Sequence, residues 1–171
     1  MHRAAQALSV LLHPIWMPTA LVVMAFSLDP YLAVRFGGDQ RLLVLYGMVL
    51  LMTAAFPLAS TWMLLRSGAV TAWTMPHRAE RTMVYLLTLL YMGMTYVLLR
   101  RSTDHPVTLG LFFGAILVLG LVLLINLRWK ISAHMAGMGG IIGGLLALMV
   151  LEHIQATALL CGLLVLGGAL G

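Results

Sequence analysis

The protein has 171 residues, of which 62% are hydrophobic and only 9% charged, against the ~25% charged residues of an ordinary soluble domain. With a mean hydropathy of +1.03, this excludes a water-soluble globular fold. It describes an all-α polytopic membrane protein, one transmembrane helical domain whose few charges must gather between apolar stretches. A sequence pI near 10.0 is no nucleic-acid signature, because no soluble basic face exists to carry one; membrane lipids are the expected anionic partners. The single Cys161 excludes an intrachain disulfide and a cysteine metal cluster.

In chain order, apolar windows predict six transmembrane helices with short connecting loops, at residues 5–28, 42–65, 82–99, 107–127, 133–151 and 156–171. Each is near the ~20 residues that cross a bilayer core. The first contains His13-Pro14 and Pro18 and offers no small-residue cleavage site, so a kinked, retained span is expected instead of a cleaved signal. His13 would either bond carbonyls freed by the prolines or line a cavity. Residues 29–41, 66–81, 100–106, 128–132 and 152–155 read as connections, marked by Pro, Gly or charge. In the fourth span Gly110 and Gly114 stand one turn apart. In the fifth, Ala136, Gly140 and Gly144 form one small-residue stripe and Gly139 and Gly143 another, which predicts close backbone approach and a central position for that helix. The thirteen methionines read as packing residues, and Trp16, Trp62, Trp73 and Trp129 fall mostly near span ends, as an interfacial belt would.

Alternating spans put the N-terminus, residues 66–81 and residues 128–132 on one side, here side A. It carries Arg3, Arg66, Arg78, Arg81, Arg128 and Lys130 against Glu80. The other side sets Arg35, Arg41, Arg100 and Arg101 against Asp29, Asp39, Asp104 and Glu152, so the whole net charge of +5 lies on side A. By the positive-inside rule that side leans towards the cytoplasm, unless its cations serve a substrate.

Two side A segments carry unusual chemistry. Arg78 and Arg81 stand three apart at a helix start. Ser132 and His134, preceded by Lys130, run into a glycine-rich helix start with Gly137. A Ser132 N-cap, free backbone N–H groups and the positive end of a helix dipole make an anion site, and guanidinium groups from the other segment would clamp the same anion. The expected phosphate-binding set is therefore Arg78, Arg81, Lys130, Ser132 and Gly137, with His134 as catalytic acid. Plainer readings stand beside these: headgroup-level anchors for the cations, a simple cap for Ser132, a hydrogen-bonded structural histidine for His134. No metal and no cofactor is expected, since His13 and His134 lie near one side without the spacing of a haem pair. No acidic residue lies mid-span to favour a transporter. Phosphate-loop, nucleophile-elbow and zincin signatures are absent from the sequence.

Four stretches carry a resemblance: His13-Pro14-Ile15-Trp16-Met17-Pro18-Thr19; Phe56-Pro57 with Leu65-Arg66-Ser67-Gly68-Ala69-Val70; Arg78-Ala79-Glu80-Arg81; and Lys130-Ile131-Ser132-Ala133-His134-Met135-Ala136-Gly137-Met138-Gly139-Gly140. Together they resemble small bacterial membrane proteins grouped with the type 2 phosphatidic acid phosphatase superfamily. That superfamily is known for six-helix membrane phosphatases acting without a metal on lipid phosphates or polyprenyl diphosphates. The resemblance implies that Arg78 or Arg81 matches the phosphate-binding arginine of the first motif. It implies likewise that Ser132 and His134 match the serine and the proton-donating histidine of the second, in a bacterial inner membrane. The chain also departs from the pattern. Thr71 and Thr74 stand where the first motif has lysine, neither arginine precedes proline, and Ile131 and Ala133 replace proline and glycine in the second motif. The third motif, which supplies the nucleophilic histidine, would by span parity begin beyond Gly171. The expected function is thus a lipid-phosphate or polyprenyl-phosphate phosphatase-like protein, catalytic where a third motif follows. The alternative is a non-catalytic accessory subunit of a larger membrane complex, for example one engaged in electron transfer.

Overall fold

The computed structural model describes residues 13–103, 105–129 and 131–170, with residues 169 and 170 described by backbone alone. A 3₁₀ turn at Pro14–Trp16 leads into α1, Met17–Leu28. It is followed by α2, Pro30–Phe36, and α3, Asp39–Arg66. Then come α4, Arg78–Ser102, α5, Pro106–Asn126, α6, Ala133–Leu151, and α7, Thr157–Leu170. Among the described residues every regular element is helical, and α3, α4, α5 and α6 are each long and apolar enough to cross a membrane. The chain is an integral membrane protein built as an all-α helical bundle.

Among the described residues four helices qualify, or five when α1 and α2 are taken as one broken span bent by 103°, against the six spans expected. Two features of the sequence cause the difference. Residues 29–41, expected as a connection, are mostly helix. Asp29 caps α2 by accepting the N–H groups of Tyr31 and Leu32 at 2.9 and 3.2 Å, and Pro30 supplies the fixed φ that suits a first helical position. Gly37, at φ +108°, then ends α2 in the left-handed region. The last apolar window forms a helix of 14 residues, short of the ~17–25 that span a bilayer. Residues 5–12 of the first expected span lie outside the described residues.

Within α3 the backbone widens into a π turn at Leu51–Ala55. Pro57 follows, and its ring would collide with the carbonyl four residues back, at Thr53; the widened turn moves that carbonyl away without breaking the span. At the end of the bundle away from side A, Phe26, Leu32, Leu45, Val49, Leu99, Phe112 and Leu148 form a buried cluster drawing on every helix from α1 to α6. Lipid tails are as apolar as leucine, so packing contact, not transfer from water, is what holds such a cluster together. α6 packs against α1, α5 and α7, the central position its glycines predict.

Candidate functional site

Between α1, α3, α4, α5 and α6 lies a cavity of about 1300 Å³, larger than the ~300–1,000 Å³ of an ordinary ligand pocket. Its lining residues on α6 run from Ala133 to Leu151, and at ~1.5 Å per helical residue that is about 27 Å of depth. The two ends differ. At side A the lining includes His13, Trp73, Thr74, Arg81, Ser132 and His134, whereas Pro106, Val107 and Leu151 line the other end.

The middle of the cavity is walled by the glycine stripes. A Cβ placed at Gly110, Gly114, Gly139 or Gly143 would meet nothing within 4 Å, so these positions hollow the bundle where close approach was expected. Close approach occurs instead between α6 and the first helix, where a Cβ at Gly137 would stand 3.0 Å from Met17 Cγ and one at Gly144 2.6 Å from Leu21 Cδ1. The hydroxyls of Thr53, Thr61 and Thr88, all on the wall, donate to their own helix carbonyls at 2.8 Å. With these bonds made, their hydroxyl protons are already engaged.

Each group at the mouth is held by its local structure. Ser132 caps α6, its Oγ accepting the Met135 N–H at 3.4 Å, which leaves the other first-turn N–H groups of that helix at the polar end. His13 caps the 3₁₀ turn through Nδ1, which accepts the Ile15 N–H at 3.3 Å; in the neutral ring the proton is therefore on Nε2. The His13 and His134 rings stand edge to face with centroids 5.4 Å apart. Arg81 donates from Nε to the carbonyl of Met75 at 2.9 Å, and Met75 itself sits at φ +44°. This bond holds the Arg81 side chain at the mouth. Among the lining residues Arg81 is the formal cation and no carboxylate is present.

The neighbouring charges are directed elsewhere. Arg78 lies in the first turn of α4 and donates from Nη1 to the carbonyls of Arg128 and Leu127 at 2.7 and 3.4 Å, the end of α5 where a cation suits the dipole. It is not among the residues lining the cavity. Glu80 is buried and accepts from Thr71 N and Oγ1 at 3.2 and 2.8 Å, tying the segment before α4 to the helix. The fully buried Asn126 donates to the Arg78 carbonyl at 3.3 Å and to Thr82 Oγ1 at 3.1 Å. Arg66 stacks over Trp62, 4.5 Å from the ring centroid, as an interfacial anchor does.

Of the expected site residues, then, Arg81, Ser132, His134 and Gly137 line one cavity, Arg78 braces α5, and Lys130 lies outside the described residues. Gly137 serves packing as well, against Pro14 and Met17. His13 is the mouth residue missing from the expected set. Its signal was the His-Pro break on the same side as His134. Among the described residues no three His, Cys, Asp or Glu side chains gather as a metal site requires.

Comparison with protein-family models, with curated proteins and with solved structures gave no match. What fold and site define is therefore a class: an integral membrane helical bundle with a mostly apolar cavity between its helices, whose cation and histidines stand at one end.

Proposed function

We propose that the protein is a phosphatase-like membrane protein that binds a lipid phosphate, the headgroup at the mouth of the cavity and the hydrocarbon inside it. The observation that carries this reading is the continuity of a cationic, N–H-rich mouth with an apolar interior in a single cavity. A phosphate dianion needs a guanidinium and oriented N–H donors, which Arg81, the capped start of α6 and His13 Nε2 supply. Where a nucleophile attacks the phosphorus and the P–O bond to the lipid breaks, His134 protonates the departing alkoxide oxygen. The attacking group is the part that the resemblance assigns to a third motif.

The test is binding in lipid nanodiscs of a lipid phosphate against the same lipid bearing a neutral hydroxyl. Arg81→Gln should weaken the phosphorylated ligand about tenfold or more, the worth of one charge-assisted hydrogen bond, and leave the neutral lipid unchanged. Where phosphate release is measurable, His134→Gln should slow it by about a hundredfold or more. Equal affinity for the two lipids in the unaltered protein would end this reading.

A further inference from the structure

Independently of any ligand, we infer that His13 is a proton-operated latch at the mouth of the cavity: neutral, it holds the 3₁₀ turn against α6, and protonated, it lets that turn go. The geometry begins with an acceptor. Nδ1 of His13 takes the Ile15 N–H at 3.3 Å, which a ring nitrogen can do only with its lone pair free. The proton of the neutral ring is therefore on Nε2, and a second proton has one place to go, Nδ1 itself. There it sets an N–H against an N–H. The cap is lost, and the turn keeps the Trp16 N–H bonded to the His13 carbonyl at 3.0 Å.

The cap matters because of what the turn carries. Pro14 sits in the notch of α6, where a Cβ at Gly137 would stand 3.2 Å from Pro14 Cβ and 3.0 Å from Met17 Cγ. His13, Pro14, Ile15 and Met17 all line the cavity, so the turn is one wall of the mouth. Contacts this close are forfeited by small displacements. Loss of the cap loosens that wall and the start of α1 together.

The surroundings oppose a second proton while the turn is seated. From α6, His134 faces His13 edge to face, the ring centroids 5.4 Å apart. From α4, Arg81 and Tyr85 line the same cavity; Ser132, the neutral Trp73, Thr74 and Met75 before α4, and Thr53 in the π turn of α3 complete that end. No carboxylate is among those lining residues, so an imidazolium at His13 meets the Arg81 cation there and no counter-charge. His13 stands ahead of the span that begins at Pro14. Partial burial, and secondly His134, hold its pKa below the ordinary histidine value. The sign follows from that depression. Above the ordinary value of ~6.5 the seated and released turns are both neutral and the latch is set; as pH falls below it, the released turn takes up the proton first and is favoured.

The experiment takes the protein in nanodiscs, with no lipid phosphate added, from about pH 8 to about pH 5, and reads fluorotryptophan and isotope-labelled histidine by magnetic resonance. Trp16 ends the turn, and Trp16→Phe assigns its signal. His13 should be the Nε2–H tautomer at the upper end, and the Trp16 signal should shift with a midpoint below ~6.5. His13→Asn supplies an acceptor that does not titrate, so its Trp16 signal should stay at the high-pH position throughout. His13→Ala has no acceptor and should hold the low-pH position at every pH; as it adds no charge, that match marks release of the turn and not the field of an imidazolium. An Nδ1–H tautomer, a Trp16 signal that ignores pH while His13 titrates, a shift that survives in His13→Asn, or a His13→Ala signal at the high-pH position overturns the latch. None of these outcomes bears on whether the cavity binds a phosphate, and failure of that reading leaves the latch standing.

Discussion

Along the face of α6 turned to α1, Gly137 and Gly144 receive Met17, Pro14 and Leu21 at contact distance; elsewhere on the helix Gly139 and Gly143 front open space, and Gly140 reaches Val118 of α5 only at 3.9 Å. Both faces are built from the same residue type, at similar helical spacing. The difference lies in what comes to meet them. The 3₁₀ turn and α1 bring proline, methionine and leucine side chains into the notch, whereas Gly139 and Gly143 share the cavity wall with Gly110 and Gly114 of α5. Small residues opposite large ones close an interface, and small opposite small leaves a hollow unless the backbones themselves touch.

The largest expected effect falls on the closed face. Gly137→Leu must displace Pro14 and Met17, and overpacking of this kind costs about 3 kcal/mol, read as a lower unfolding midpoint in detergent. Next comes the polar anchoring that keeps the mouth formed. Glu80→Ala leaves the Thr71 N–H and hydroxyl without their acceptor, a loss of about 1–3 kcal/mol, and should raise protease cleavage between residues 67 and 77. The smallest effect, of opposite sign, belongs to the hollow face. Gly143→Ala adds a methyl where nothing is displaced and improves helix propensity, so stability should hold or rise by up to about 1 kcal/mol. If Gly143→Ala destabilised as much as Gly137→Leu, the two faces would not differ as described.

Composition and apolar length were enough to read the helical membrane class, and the four long helices begin and end within a few residues of the windows found by hydropathy. Length alone could not find α2. Asp29-Pro30 is a strong helix-start pair, but among charges and glycines it resembles the border of a loop. The π turn follows from Pro57, whose effect is felt four residues earlier. At the site, two loops on one side were legible from span parity. The destination of each cation was not, because Arg78, Glu80 and Arg81 are neighbours in sequence that diverge to α5, to Thr71 and to the cavity. Glycine spacing is likewise blind to the partner. It marks where backbones are bare, and the facing helix decides whether the bareness is filled.

The 103° turn between α1 and α2 has a mechanical consequence. With α1 upright in the bilayer, α2 lies nearly flat at the far surface, Leu32 buried against the bundle while Tyr31 and Val34 are 69% and 74% exposed. A short helix laid across the end of an upright one is a footing. It resists further sinking of α1, and with α1 seated in the notches of α6 it fixes the level of His13 against that surface. Bilayer thickness then sets how far the mouth stands from the opposite headgroups.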